Sequence, residues 1–127
     1  MSDNLSVGRK GEDAVASFLM EKGHSILKRN WRRGHLEVDI ISADGFGLHF
    51  VEIKTRRSGD GLAAPEEKVD ARKQKRIARA ALEYLNNAKD SRLGEMEVFF
   101  DVATVVIDGS GSVKIRYIPQ AYIPYSL

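Results

Sequence analysis

Residues 36–54, LEVDIISADGFGLHFVEIK, carry two runs in which apolar and polar positions alternate, separated by Asp44-Gly45-Phe46-Gly47. A period of two broken by a glycine-rich segment predicts a β-hairpin. Successive side chains of a strand point to opposite faces. Glu37, Asp39 and Ile41 are therefore expected on one side of the first strand and Val38 and Ile40 on the other; in the second, Phe50, Glu52 and Lys54 oppose Val51 and Ile53. A four-residue turn at 44–47 sets Asp39 opposite Glu52 and Glu37 opposite Lys54, and a two-residue turn sets Glu37 opposite Glu52. Both keep Asp39, Glu52 and Lys54 on one face. A three-residue turn or an added bulge would move one set to the far side.

The flanking segments supply the rest of the layers. Ala14, Val15, Phe18 and Leu19 form a helical apolar stripe that predicts a helix over residues 7–22, stopped by Gly23, with residues 1–5 loose. Residues 24–30 read as a first strand. After Lys54, residues 56–65 are expected to form a mobile loop, basic at its start and glycine-bearing at its tip. A long helix is predicted over 66–87, with Pro65 at its first turn and Glu66 and Glu67 at the positive end of its dipole. Val69, Ile77, Ala80 and Tyr84 fall on its inward face. Lys73 stands in the same row, where it needs an anionic partner unless its ammonium snorkels past the sheet edge. Residues 96–107, MEVFFDVATVVI, are apolar on both faces, as in a strand covered on each side. Residues 113–117 alternate as an edge strand, and 118–127 are expected to pack down as an irregular tail.

At 127 residues, with 43% hydrophobic and 30% charged positions, the chain is expected to form one globular domain with a real core. A net charge of +2 makes a weak overall case for nucleic acid, so the distribution of charge has to carry it. Lys68, Arg72, Lys75, Arg76 and Arg79 lie on the outward face of the long helix and lack acidic mates at i+4, apart from Glu83 at the end. Such a one-sign stripe suits a phosphate-tracking surface, as do Arg56 and Arg57 at the start of the loop. The absence of cysteine excludes disulfides, thiolate zinc sites and cysteine nucleophiles, and fits a reducing cytosol. No apolar run suits a signal peptide or reaches the roughly 18 residues of a membrane helix, so a cytoplasmic protein without a membrane partner is expected.

Two carboxylates held on neighbouring strands repel each other, and a divalent cation converts that cost into a gain. Oxygen ligands suit Mg²⁺ or Mn²⁺. A lysine two residues after a carboxylate lies on the same face, roughly 6.5 to 7 Å along the strand, within reach of a water or a scissile phosphate at that ion. Glu12, at the rim of the first helix's apolar stripe, is either a solvated dipole partner or a third carboxylate aimed at the ion. Asp101 interrupts an otherwise apolar strand and must be paired or near a metal, so it either holds an inward base such as Lys73 or orients a site residue. Trp31 is read as an anchor of the core or its rim in preference to a base-stacking platform. His35 and His49 lack a partner at ligand spacing and are read as surface or packing histidines.

Asp39 with Glu52-Ile53-Lys54 resembles the PD-(D/E)XK nuclease signature. Taken with GRKGEDAV, LEVDII, FVEIKTR, the lysine-bearing helix and FFDVATV, nearly the whole chain resembles the YraN-like family of uncharacterised bacterial proteins. The resemblance implies a restriction-endonuclease-like α/β core, with a central mixed sheet flanked by two helices, related to Holliday-junction resolvases. It implies that Asp39 and Glu52 are the metal-binding pair, Lys54 the catalytic lysine, Glu12 the helical acidic residue of the outer shell and Asp101 the acidic residue of the late strand. A homodimer is also implied, because resolvases of this fold act as symmetric dimers. The chain departs from the family pattern at His35-Leu36-Glu37, where glycine usually precedes the glutamate. It departs again at Phe99, where an arginine is expected; its loss makes Lys73 the candidate partner of Asp101.

The leading expectation is a metal-dependent DNA endonuclease acting on branched or repair DNA, with Glu37, Lys73 and Asp101 supporting the site. The alternative is a nucleic-acid-binding or adaptor protein that keeps the fold but cuts little or not at all, with Lys54 a phosphate contact or a salt-bridge partner of Glu37. A third reading, a purely structural partner-binding domain, is favoured only by the apolar tail.

Overall fold

The computed structural model describes residues 3–58 and 68–123, with side chains from residue 6 onward. Helix α1 (Asp3–Glu21) precedes three strands, β1 (Ser25–Arg33), β2 (Leu36–Ala43) and β3 (Leu48–Arg57). Helix α2 (Ala71–Asn87) and a short 3-10 turn (Ser91–Glu95) lead to β4 (Val98–Ile107) and β5 (Val113–Ile118). The strands form one five-stranded sheet in chain order. The β3–β4 pair is parallel and its neighbours antiparallel, so the chain must return to the starting end of the sheet between them, and α2 lies on that crossover. A mixed sheet with a helix packed on each face fits the restriction-endonuclease-like core.

The two faces have separate cores. Val15, Ala16 and Leu19 of α1 pack against Ile40, Val51, Ala103, Val105 and Ile107. Ile77, Ala80 and Ala81 of α2 pack against Leu36, Val38, Ile41, Leu48, Phe50, Phe100 and Val102. β4 feeds both cores alternately, which is why its sequence shows no polar face. α1 approaches β3 so closely at Gly11 that an added Cβ would fall 2.1 Å from the Thr55 hydroxyl oxygen. Its other end closes in a Schellman motif: Gly23, at φ 93°, donates to the Met20 carbonyl (3.1 Å) and His24 to that of Leu19 (2.9 Å).

The hairpin turn has four residues, with Ala43 paired to Leu48. Asp44 closes it, its N–H donating to Gly47 O and its Oδ1 accepting from the N–H groups of Phe46 and Gly47. Register then places Asp39 across from Glu52, although the ladder ends one step earlier at Ile40↔Val51.

Several expected boundaries shift. α1 already includes residues 3–5, expected to be loose, because extending a nucleated helix adds a hydrogen bond per residue without a new nucleation cost. α2 starts at Ala71 and not at Glu66, because Asp70 caps it by accepting from the Lys73 N–H at 2.8 Å. Val69 is buried against the α2 core from outside the helix. Arg56 and Arg57, expected in the loop, belong to β3 and pair with Val106 and Ile107, the parallel ladder offering them backbone partners. The loop from residue 59 to 65, together with Glu66 and Glu67 and residues 124–127 of the tail, lies outside the described residues. Ala121 and Tyr122 of the tail pack on the α2 side.

Strict alternation fails at one point in β2. Leu36, Val38 and Ile41 belong to the α2 core but Ile40 to the α1 core, so Asp39 marks a change of phase. The expectation that Val38 and Ile40 share a face is thereby corrected. β1 changes phase at the facing position, since Asn30 lies between the pairs Arg29↔Ile40 and Trp31↔Val38 and has φ 51°. Asparagine tolerates this left-handed conformation, and the two strands turn together.

Candidate metal and nucleic-acid site

The kink at Asp39 is where β2 and β3 part. Ile53 has no backbone partner on β2 there, and its N–H donates to Asp39 Oδ2 at 2.8 Å. Burial and the nearby Glu52 charge raise the Asp39 pKa to about 6, against the opposing influence of the Ile53 N–H and the Lys73 ammonium. Lys73 Nζ reaches from the first turn of α2 to Glu52 Oε2 at 2.5 Å, pairing a lysine 43% exposed with a carboxylate 12% exposed. Burial works against the Lys73 charge, but the hydrogen bond to Glu52 and the charges of Glu52 and Asp39 outweigh it and raise its pKa. The fold thus brings Asp39, Glu52 and Lys73 together.

Lys54 follows Glu52 by two residues on β3, and its ammonium donates to the carbonyl oxygen of Lys68 just ahead of α2. Glu37 pairs with Arg32 of β1 at 3.1 Å, and not with Lys54 across the hairpin, because the change of phase at Asp39 separates it from the Glu52 side. Glu12 accepts from Arg29 (2.8 Å to Nη2) and from Asn30 Nδ2 (2.8 Å), so it contacts the facing side of the same kink. Arg72, Lys75, Arg76 and Arg79 are exposed along α2, with Lys68 exposed just before it and Arg56 and Arg57 at the end of β3. Arg76 lies close enough for its charge to oppose that of Lys73.

Asp101 does not pair with Lys73. It stands on the α1 side of β4, with the sheet between it and α2. There its carboxylate accepts from His49 Nδ1 (2.7 Å), the Tyr117 hydroxyl and the Gln120 N–H (2.9 Å). Tertiary packing filled the gap left by Phe99 with a histidine from β3, on which Phe99 itself stacks at 5.0 Å. Trp31 is the anchor expected, edge-on to Tyr84 with centroids 5.8 Å apart.

One residue near the carboxylates has no signal in the sequence that would single it out. The Tyr122 hydroxyl is buried without a hydrogen-bond partner among the described residues. Burial, then the charges of Glu52 and Asp101, raise its pKa. Only its aromatic character within the tail could have been read.

The sequence pattern of the family described as "Uncharacterised protein family UPF0102" matches residues 11–105. A UPF0102 protein of Rhodococcus jostii (strain RHA1) is 42% identical over 96% of this chain and 100% of its own length. A UPF0102 protein of Bacteroides thetaiotaomicron is 40% identical over 98% of each chain. Among solved structures, Pyrococcus furiosus SfsA in complex with Ca²⁺ aligns with 92% of this chain at 19% identity and a TM-score of 0.45, and this chain spans 64% of that one. With relatives matched nearly end to end and the family pattern running from Gly11 in α1 to Val105 in β4, this chain belongs to the UPF0102, or YraN-like, family.

Proposed function

We propose that this protein is a metal-dependent endonuclease acting on branched or repair DNA in the cytoplasm. The observation that carries the reading is the Asp39–Glu52 pair, held at the point where β2 and β3 separate, with Lys73 of α2 bonded to Glu52 and Lys54 two residues further along β3.

The residues present fit a hard divalent ion. The two carboxylates offer oxygen ligands, and burial first and the Glu52 charge second hold the Asp39 proton until about pH 6, a cost of ionisation that a bound cation would offset. Asp39 and Glu52 would hold Mg²⁺ or Mn²⁺, with Glu12 and Asn30 bracing the kink behind them. When bound, the ion would acidify a water and neutralise charge on the phosphate. Lys54 would exchange the Lys68 carbonyl for the attacking water or the developing phosphate charge. Lys73 would keep Glu52 oriented. The exposed Lys68, Arg72, Lys75, Arg76 and Arg79 would track the phosphate backbone, with Arg56 and Arg57 at the end of β3, and a substrate of two-fold symmetry would engage a homodimer.

Cleavage of linear, flapped and four-way DNA with Mg²⁺ or Mn²⁺, beside Asp39→Ala and Lys54→Ala, tests this. Asp39→Ala should lose metal binding and cleavage together. Lys54→Ala should keep metal and DNA binding but cut about a hundredfold more slowly or worse, the contribution of a positioned proton-transfer group or charge. A wild type that binds but cuts none of these substrates with either ion would leave the adaptor reading. That reading draws support from the contacts Lys54 and Lys73 already make within the chain.

A further inference from the structure

A second group of ionisable side chains lies on the α1 face at the hairpin-turn end of β2 and β3, away from the reaction proposed above. His24 is delivered there by the Schellman closure of α1, Asp44 by the turn it closes, and His49 by β3. Their side chains are 8%, 16% and 9% exposed.

The two imidazoles are arranged in the same way. His49 Nε2 lies 2.9 Å from Asp44 Oδ1 and His24 Nε2 lies 3.4 Å from Asp44 Oδ2, so both ring nitrogens converge on one carboxylate. Both Nδ1 atoms are engaged on the other side, that of His24 with Ser42 Oγ at 2.9 Å and that of His49 with Asp101 Oδ2 at 2.7 Å. Asp101 is fixed in turn by the Tyr117 hydroxyl and the Gln120 N–H. A metal-bound histidine usually has this disposition, with one nitrogen on the ion and the other hydrogen-bonded to a carboxylate or hydroxyl that sets tautomer and ring orientation. Ligand atoms 2.0–2.1 Å from a tetrahedral ion stand about 3.3 Å apart, and the two distances to Asp44 bracket that value. One ligand atom from each residue lies within 4.8 Å of the others, so closure needs these atoms to approach by at most about 1.5 Å.

We propose that His24, Asp44 and His49 form a binding site for one divalent transition-metal ion of the Zn²⁺ class, separate from the Asp39–Glu52 site. Two imidazoles and a carboxylate select such an ion over Mg²⁺, which favours all-oxygen surroundings and keeps most of its water. Two carboxylates, Asp44 and Asp101, flank His49, and the dication balances both. The proton shared between Asp44 and His49 leaves for solvent as the ion enters, and the fourth position is open to water. The bound ion fastens the α1–β1 connection to the β2–β3 turn, two segments otherwise joined here by hydrogen bonds.

The test uses the full chain titrated with Co²⁺ and with Zn²⁺. With Mg²⁺ in large excess to occupy Asp39 and Glu52, expected are one Co²⁺ per chain, the intense visible absorption of four-coordinate Co²⁺, its loss on adding Zn²⁺, and no displacement by Mg²⁺. The chain has three histidines, so ¹H–¹⁵N imidazole spectra of the wild type report the site directly: His24 and His49 signals should move with Zn²⁺ while those of His35 stay. His24→Asn should weaken binding about a hundredfold or more, and Ser42→Ala, which leaves every ligand in place, about tenfold. His35→Asn should bind as wild type does. No Zn²⁺ binding by the wild type, unmoved His24 and His49 signals, or binding abolished in Asp39→Asn and kept in His24→Asn would each overturn the proposal. None of these outcomes bears on DNA cleavage.

Discussion

Replacing Asp39 by Asn should make the metal-free protein more stable while abolishing the Asp39–Glu52 metal site. Asn keeps an oxygen to accept the Ile53 N–H and loses the charge that burial and Glu52 oppose. The folded protein holds the Asp39 proton until about pH 6, against an ordinary 3.8. The favourable contribution of the neutral acid is therefore fully present below pH 3.8, declines as pH rises, and is gone above about pH 6, where the ionised group costs about 3 kcal/mol. Part of that returns as the desolvation of the Asn amide, so a gain of about 1–3 kcal/mol is expected near neutral pH. Urea denaturation of both proteins in EDTA at about pH 7.5 and about pH 4 measures it. The variant should lead at the higher pH, and the gap should close at the lower one, where the wild type is protonated. Adding excess Mg²⁺ at the higher pH should stabilise the wild type alone, because binding to the folded state shifts the unfolding equilibrium. An Asp39→Asn variant no more stable than wild type in EDTA, or a gap independent of pH, would refute the electrostatic account of the pair.

Lys73→Met should move the ionisation of Asp39 to higher pH, since it removes a cation that acts on both carboxylates; a ¹³C carboxyl titration of Asp39 reads this, and an unchanged midpoint would detach Lys73 from the site. Arg72→Gln, Arg76→Gln and Arg79→Gln together should weaken binding equally for all DNA sequences and flatten the salt dependence by roughly 0.9 for each phosphate no longer neutralised. An unaltered slope would return that face of α2 to plain solvent. Gly11→Ala should destabilise by about 1–3 kcal/mol in urea denaturation, because its Cβ would collide with Thr55 and force α1 off β3.

Features that depend on near neighbours in the chain were legible in the sequence. Period-two alternation located β2 and β3, the segment from Asp44 to Gly47 located the turn but left two registers of which the fold takes the four-residue one, and the spacing of Glu52 and Lys54 put them on one side of β3. The inward row of α2 announced that Lys73 needs an anion, though not which one. Local signals also competed. Pro65, Glu66 and Glu67 suggested a helix start, but the Asp70 side chain closes a hydrogen bond there and the helix begins after it.

What tertiary structure decided lies across the sheet or far along the chain. Asp101 could be recognised as a buried carboxylate, yet only the side of β4 it occupies, one position out of phase with Phe100 and Val102, gives it to His49 and Tyr117 and denies it to Lys73. Asn30 and Asp39 look like ordinary strand positions until both strands change phase together, directing Glu12 to Arg29 and Asn30. His24, Asp44 and His49 belong to a helix end, a turn and a strand, with no common spacing to betray them, and the packing of α1 on the hairpin brings them together. Sequence periodicity specifies which face a side chain takes within its own element, whereas the partner it meets depends on how the elements are layered, a property of the whole chain.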